Sequence, residues 1–336
     1  MSDKITLLVD GRELERFNSY SVDADFYLAA DAFQLEVNSI LPKGLAGQRV
    51  QLLVNGKREL DGVLDSPRRT WEKGKLSTKL SGRDLAGLLV DSHTDGYGDI
   101  KNVTLQGLAE KLIAKVPFIQ RSDIRYNFTK DTPSLTWESV YVEPCKSIFE
   151  VLSEKAKALG LVFYAMPDGK FFFGKANKTG KPKFHITVRQ DGRGNNALFG
   201  DHMEDISKRY SDLNVISNGQ GTDAKATSQL TVAHHLADKT FPFYKPFYAI
   251  ESSGGLTPAR QARLIMDMQR RQGESLVYRV PGHSQGDKNW AINETCTVED
   301  EILDLHGTYF IYGRRFVMSK EDGAYTELRL GLPGEA

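Results

Sequence analysis

KLSTKLSGRDLAGLLVDS (residues 75–92) joins an alternating polar and apolar segment directly to an apolar, helix-like segment. Gly82 stands at the junction, and Asp84 comes immediately before the apolar residues. A strand, a glycine turn and a helix also open many dinucleotide sites, but those sites need G-x-G-x-x-G, and here only Gly87 follows Gly82. The phosphate-loop motif G-x-x-x-x-G-K-S/T does not occur in the chain. The stretch therefore predicts a strand that leads into a helix capped by Asp84.

The residues before this stretch also have strand patterns. Apolar and polar residues alternate in AFQLEVNSI, residues 32–40, as in a strand that is buried on one face. Asp10-Gly11 and Asn55-Gly56 separate such segments and favour tight hairpins, because glycine readily adopts a positive φ. Short strands at this spacing predict a β barrel or a β sandwich.

Helix patterns begin near residue 104. TLQGLAEKLIAKV has one apolar helical face and Thr104 as its N-cap, and EPCKSIFEVLSEKAKALG repeats this scheme with Gly160 just past its end. LVFYAM and KFFFGK flank Pro-Asp-Gly and predict a hairpin. Residues 177–183 and 189–202 are predicted to be loops. Residues 104–180 are thus expected to form a compact α+β segment.

The remainder of the chain returns to strand patterns. Residues 206–250 predict strands with long turns, and residues 276–332 predict three strands near the end. A helix is predicted between them, starting at Thr257 and ending at Gly273. A weak internal repeat is also present: Arg68–Arg69 and Arg314–Arg315 each precede a charged glycine turn and a strand ending in glycine. The register between the two copies is ambiguous by one residue.

Length and charge limit the function classes. A chain of 336 residues is too long for one small core, so two or three domains are expected. Lysine plus arginine and aspartate plus glutamate both number 44, which gives a net charge of zero. Nucleic-acid binding needs a basic surplus, so nucleic acid is not expected as the main partner. A neutral chain associates easily with other proteins.

The chain has no run of 18 apolar residues, so no transmembrane helix is expected, and its first residues do not have the pattern of a signal peptide. Cys145 and Cys296 are its only cysteines. Two isolated cysteines in a chain of this length predict a reducing compartment and no disulfide framework.

Two clusters could carry chemistry, and a structural role is favoured for both. His234 and His235 are adjacent, and adjacent residues of a strand face opposite sides, which does not suit one metal ion. The acidic run of four carboxylates between residues 299 and 304 could supply a glycosidase pair, but such runs are usually solvated surfaces. Its members are Glu299, Asp300, Glu301 and Asp304.

Two further candidates are equally weak. Cys145 follows Pro144 at a predicted helix start, where the helix dipole could activate a thiol, but a small buried residue also suits that place. GRGNN, residues 192–196, could form a backbone anion nest or only a loop. No G-x-S-x-G nucleophile motif occurs. We therefore predict no catalytic, cofactor-binding or metal-binding residues, and a structural protein rather than an enzyme.

Three segments in order resemble the baseplate hub proteins of contractile-tailed phages, namely the Mu-like 43-kDa tail protein and the broader late-control D family. They are LSGRDLAGLLVDS, EPCKSIFEVLSEKAKALGLVFYAMPDGKFFFGK and GTYFIYGRRFVMSKEDGAYTELRLGL. The resemblance covers nearly all of the chain. It implies an α+β, mostly β fold with two tube-like β-barrel domains, residues 1–95 and 206–336. An α+β middle module with a linker, residues 96–205, lies between them.

The resemblance also implies a function. Such proteins form homotrimers whose six related domains make a pseudo-sixfold ring, which joins the tail tube protein to the central spike protein within the baseplate. DNA passes through the lumen without specific binding, no cofactor is needed, and the chain does not insert into a membrane. Assembly takes place in the host bacterial cytoplasm. Arg83 and Asp84 would form a local pair and cap where a short helix closes the first domain, and the acidic run 299–304 is a candidate lumen or interface face.

Two other functions remain open. One is a tail-associated cell-wall hydrolase, for which no extra domain of adequate length is left. The other is a carbohydrate- or receptor-binding module, because aromatic loops such as FPFYKPFY, residues 241–248, can hold sugars. We favour packing of this segment between subunits or domains, because it is long and apolar.

Overall fold

Strands dominate the structure, a computed structural model that describes residues 3–94, 98–130, 132–143, 145–216, 232–251 and 256–333. The strands are β1 Ile5–Val9, β2 Arg12–Leu14, β3 Ser19–Asp25, β4 Ala32–Val37, β5 Arg49–Val54, β6 Lys57–Glu72, β7 Lys75–Asp84, β8 Gly98–Val103, β9 Ile124–Asn127, β10 Trp137–Val142, β11 Val162–Ala165, β12 Phe171–Gly174, β13 Phe184–Val188, β14 Phe199–Glu204, β15 Asp212–Ile216, β16 Val232–Ala237, β17 Pro246–Ile250, β18 Glu274–Pro281, β19 Ser284–Gln285, β20 Lys288–Asn289, β21 Glu294–Asp300, β22 Leu305–Ser319 and β23 Gly323–Gly331. The α-helices are α1 Ala86–Asp91, α2 Leu105–Ile113, α3 Ile148–Lys157 and α4 Pro258–Gln272.

The first β unit is formed by the strands up to β7. Its strands lie in the order β3-β4-β7-β6-β5-β1, with β2 added at the edge. The predicted alternation in β4 is confirmed, since its apolar residues Phe33, Leu35 and Val37 are buried. The hairpins predicted at Asp10-Gly11 and Asn55-Gly56 are confirmed as well. All four of these turn residues have positive φ, as a tight hairpin requires.

The second β unit repeats the strand order of the first. Its strands lie in the order β14-β18-β23-β22-β21-β13, and strands in the same place along the chain occupy the same place in the sheet. Every neighbouring pair is antiparallel except β13–β21. An antiparallel β22–β3 ladder joins the two units into one 13-stranded sheet.

A bulge in the long strand of each unit fixes the register of the repeat. β6 is irregular between Leu64 and Ser66, and β22 between Ile311 and Gly313. When the two bulges are superposed, Arg68 corresponds to Arg315. The two Arg-Arg dipeptides are therefore offset by one residue, which is the ambiguity present in the sequence.

The α+β segment between the units has a core of its own. Helices α1 to α3 and strands β8 to β12 pack around buried apolar residues that include Leu108, Leu152 and Phe173. The predicted cap is confirmed, because the Thr104 hydroxyl accepts a hydrogen bond from the Gly107 amide. Gly160 has the predicted positive φ, 68°.

A small α+β unit is inserted between β14 and β18. Strands β16-β15-β17 form its sheet, and α4 covers one face through a core of Leu213, Val215, Ala262 and Met266. The helix predicted from Thr257 is confirmed, with the Thr257 hydroxyl accepting from the Arg260 amide.

The structure confirms the α+β, mostly β fold class, with two β units and an α+β segment between them. One local prediction was wrong: residues 199–202 are not part of a loop but begin β14. β13 and β14 pair with strands of the second unit, although residues up to 205 were predicted to belong to the middle module. Within the described part of the chain, no helix has the length and apolar character needed to cross a membrane.

Candidate functional site

Close packing requires a glycine at residue 82. A Cβ atom on Gly82 would lie 2.2 Å from the Val63 carbonyl oxygen and 2.7 Å from the Phe33 ring. The predicted N-cap was wrong by one residue: Leu85 is the N-cap of α1, and Asp84 before it accepts a hydrogen bond from the Ala86 amide at 3.0 Å through Oδ1. The corner is therefore a packed strand-to-helix junction and not a phosphate cradle.

The predicted pair of Arg83 with Asp84 was wrong. The Arg83 guanidinium instead binds Asp65 at 2.7 Å and Asp91 at 2.6 Å, on the solvent side. Leu85 lies just before α1 and Leu89 lies within it. Both are buried in the core of the α+β segment. The helix thus connects that segment to the first β unit instead of closing the unit.

Asp84 lies beside a second carboxyl, that of the half-buried residue Asp31. Burial raises the pKa of Asp84 to about 7. Burial, followed by the charge of Asp84, raises the pKa of Asp31 well above its ordinary value. Two carboxyls that repel each other do not both ionise easily, so burial and repulsion both favour a protonated form in this corner.

The two histidines do not form a metal site. His235 binds Asp212 through Nε2 at 2.8 Å, whereas His234 lies opposite Val215 in the β15–β16 ladder. Among the described residues, no group of three or more His, Cys, Asp or Glu side chains could hold a metal ion.

The acidic run forms a tight turn between β21 and β22. Asp300 is buried and accepts hydrogen bonds from the Tyr278 hydroxyl at 2.7 Å and from two amides of the turn. Glu299 and Asp304 both contact His306 at the surface. Three of the four carboxylates are thus a solvated face as expected, while Asp300 has a structural role that the sequence did not reveal.

The two cysteines lie in different surroundings. Cys145 is exposed in a left-handed conformation with φ 69°, before α3 rather than in it, and Pro144 lies outside the described residues. Cys296 is buried in β21, and burial raises the pKa of its thiol to about 12. Both are free thiols, and Cys145 is not at the helix start that would activate it.

The loop GRGNN is held to β13 by its asparagines. Asn195 accepts a hydrogen bond from the Arg189 amide, and Asn196 accepts one from the Thr187 amide. The aromatic segment 241–248 leaves Phe243, Tyr244 and Tyr248 exposed. Its predicted packing between subunits or domains stays a prediction.

A buried polar seam connects the two β units. The Arg314 guanidinium of β22 donates to the Glu59 carboxylate of β6 and to the Trp290 carbonyl. Asn289 donates to the other oxygen of Glu59 at 2.7 Å and to the Val54 carbonyl at 2.9 Å. The seam thus ties strands that are more than 200 residues apart in the chain.

A second part of the seam centres on His283. Its ring is fully buried and bonds the Tyr20 hydroxyl at 2.7 Å and the Thr326 hydroxyl at 3.2 Å. Burial lowers the pKa of His283 to about 4, so it is neutral near pH 7. Sequence reasoning missed these residues, because single polar residues in apolar strands, such as Arg314 in FIYGRRFVM, carry no motif.

Two strand edges lack a partner among the described residues. β14 pairs only with β18, and the half of β6 after its bulge pairs only with β7. Large apolar side chains mark both edges: Trp71 in β6 is 81% exposed, and Met203 in β14 is 54% exposed. Unpaired edges with exposed apolar residues are surfaces that another chain can extend by strand pairing.

Comparison with known proteins agrees with this architecture. Residues 4–84 match the family described as Mu phage baseplate assembly protein GpP-like, N-terminal. The chain is 24% identical to baseplate hub protein gp44 of Escherichia phage Mu, over 98% of this chain and 88% of the relative. The chain is a homologue of the Mu phage baseplate hub protein. This relationship confirms the family resemblance found in the sequence and assigns the chain to the structural proteins of phage tails.

Two solved structures share the fold of this Mu hub homologue over almost its whole length. A tail protein from Neisseria meningitidis MC58 has a TM-score of 0.82 and 26% identity, covering 98% of this chain and 96% of that one. The 43 kDa tail protein of prophage MuSo2 from Shewanella oneidensis has a TM-score of 0.82 and 18% identity, covering 99% of both. The match to the family description ends at Asp84, which is also the last residue of β7.

Proposed function

We propose that this chain is the structural baseplate hub of a contractile phage tail. Three copies form a pseudo-sixfold ring that joins the tail tube to the central spike and lets DNA pass on injection. The proposal rests on one observation above all: each chain carries two β units with the same strand order. Two units per chain give six units in a ring of three, which matches a sixfold tube on one side and a threefold spike on the other.

The joint inside the chain supplies the geometry of the proposed joint between chains. Within one chain, β3 of the first unit pairs with the half of β22 that follows its bulge. The equivalent strands are β14, which corresponds to β3, and the half of β6 that follows its bulge, which corresponds to β22. These are the two unpaired edges. Repeating the internal joint around a ring pairs β14 of one copy with β6 of the next.

The strand registers define this ladder residue by residue. Met318 lies opposite Tyr20 in the internal joint. The bulges align Met318 with Trp71, and the strand pairs of the two units align Tyr20 with Gly200. Trp71 of one copy is therefore expected opposite Gly200 of the next.

The charges of the two edges are complementary. Arg68 and Arg69 lie on the β6 edge, and Asp201 and Glu204 lie on β14. In the proposed ladder Arg68 lies opposite Met203, between these two acids. Opposite charges on neighbouring strands favour the pairing and fix its register.

The strand pairing inside the chain supports a revised division into domains. We keep residues 1–95 as the first tube-like domain. We propose that the second begins near residue 184 rather than at residue 206, because β13 and β14 pair with β21 and β18. Residues 205–273 then form an insertion in the second domain.

The proposed partners are the tail tube protein, the central spike protein and other baseplate proteins. The zero net charge supports passage of DNA without tight binding, since a strongly cationic lumen would hold the phosphates. We propose no enzymatic activity and no cofactor. The place of action is the virion baseplate, after assembly in the host cytoplasm.

A charge exchange across the proposed ladder tests the ring. Met203→Lys places a cation opposite Arg68 of the next copy, and Arg68→Glu removes the attraction to Asp201 and Glu204. Each single variant is expected to shift purified protein from trimer towards monomer in light scattering after size exclusion. The double variant restores the trimer. Equal masses for all four proteins would contradict the proposed β6–β14 joint.

A further inference from the structure

A cavity of about 410 Å³ lies where α4, β22 and the linker after β12 meet. Among the described residues that line it, the basic ones are Lys178 from the linker, Arg270 and Arg271 from α4, and His306 from β22, and the acidic one is Asp267. Junctions between structural units are common places for ligand sites.

Lys178 is the unusual member of this group. It is only 7% exposed, yet among the described residues its ammonium has no hydrogen bond or ion pair, and it lies 5.6 Å from the centre of the Phe310 ring. Its Nζ atom is not fully enclosed, so the ammonium reaches the cavity, where no hydrogen bond or ion pair from a described residue holds it. Burial lowers the pKa of Lys178 to about 8.

The other cations of the cavity have fixed contacts. Arg270 binds Asp238 at 2.9 Å, so its charge is balanced from outside the cavity. Arg271 stacks on Tyr27 at 3.5 Å, a contact that holds the guanidinium in place without neutralising it. The charge of Asp267 acts on Lys178, and the described lining residues include more basic than acidic side chains.

We propose that this cavity binds an oxyanion, either phosphate or a carboxylate, with the Lys178 ammonium as its main hydrogen-bond donor. An oxyanion supplies the acceptor that Lys178 lacks and balances the surplus charge. Arg271 supports binding through its charge. The inference is independent of the proposed ring.

The site has a predictable pH dependence. An anion binds the charged form of Lys178, so affinity is present below the pKa of the ammonium and falls as the pH rises through it. The groups that face this ammonium are Asp267, Arg270 and Arg271 on α4, and His306 and Tyr309 on β22. Sulfate is a suitable probe, because its own charge does not change in this range.

Calorimetric titration of the full chain with inorganic phosphate, against sodium chloride at matched ionic strength, tests the proposal. Lys178→Met is expected to weaken phosphate binding at least tenfold. Lys181→Met, an exposed lysine of the same linker, leaves it unchanged. Phosphate binding equal to that of chloride, or binding retained by Lys178→Met, would overturn the site.

Two further arms complete the test. Titration with acetate at the same ionic strength separates the sources: binding of acetate identifies a carboxylate site, and binding of phosphate alone identifies a phosphate site. Crystals of the wild-type chain soaked in tungstate need no variant. An anomalous peak within hydrogen-bonding distance of the Lys178 Nζ supports the proposal, and peaks only elsewhere refute it.

Discussion

Glu59 of the first β unit accepts a hydrogen bond from Arg314 of the second, and the two side chains are only 8% and 2% exposed. The Arg314 guanidinium also lies 3.9 Å from the centre of the Phe316 ring. Burial of a charge pair brings little net stability by itself, but it strongly disfavours arrangements that separate the partners. The pair therefore fixes how the two β units are placed.

Removal of one partner should show this. Glu59→Gln leaves the Arg314 charge buried and unpaired, so we expect a loss of about 3–5 kcal/mol in the free energy of unfolding. Glu59→Leu combined with Arg314→Met should recover most of that loss. Urea unfolding measures both. Glu143→Gln, in an exposed pair with Lys146, is the control and should leave the midpoint unchanged.

The packing at Gly82 gives a second prediction. Gly82→Ala should destabilise the protein strongly, because the added methyl would overlap the Val63 carbonyl oxygen at 2.2 Å. The methyl group of Gly107→Ala in α2 would meet a Val103 methyl group at 3.3 Å and the Thr104 hydroxyl oxygen at 3.6 Å. This variant is expected to stay within about 1 kcal/mol of the wild type, because alanine favours the helix. Similar thermal midpoints for the two variants would contradict the packing argument.

His283 should make stability fall in acid. Its folded-state pKa, about 4, lies below the value of 6.5 for an exposed histidine. Between these pH values the unfolded chain binds a proton that the folded chain does not, so stability falls as the pH drops. The effect amounts to roughly 3 kcal/mol. His283→Gln should be less stable at pH 7 but lose less between pH 7 and pH 4.5 in urea unfolding. A loss equal to that of the wild type would argue against this role.

The Asp31–Asp84 pair should make the protein less stable as the pH rises, which is opposite to the effect of His283. Both carboxyls have raised pKa values, so the folded chain keeps a proton that the unfolded chain releases, and stability falls as the pH rises above about 4 towards 7. Asp31→Asn keeps an acceptor for the Asp25 amide and removes the repulsion. Its thermal midpoint should exceed that of the wild type at pH 8 and equal it at pH 4. An equal difference at both pH values would refute the charge explanation.

Local signals predicted the local structure well. The Asn55-Gly56 hairpin and the Thr104 cap depend on a few neighbouring residues, and both were confirmed. The role of β13 was not predictable in this way, because its partner is more than 100 residues away: Phe184 pairs with Cys296. Strand pairing over such distances leaves no local pattern.

The seam and the edges also depend on distant contacts. Glu59 and Arg314 are 255 residues apart, and nothing in the sequence relates them. Arg314 was noticed only as part of a repeat whose register was one residue uncertain. The bulges of β6 and β22 resolve that register and identify the free edges of β14 and β6 as the counterparts of the paired edges of β3 and β22.

The central claim is the β6–β14 joint between copies, and a disulfide across it is the most direct measurement. Thr70 of one copy is expected opposite Asp201 of the next, so Thr70→Cys with Asp201→Cys is prepared in a Cys145→Ser background. After mild oxidation we predict a reducible species with three times the 37.6 kDa chain mass and none larger, because the ring closes at three. Asp201→Cys alone is the control and should stay uncrosslinked. Monomers from the double variant, or an open ladder beyond three chains, would contradict the proposed ring.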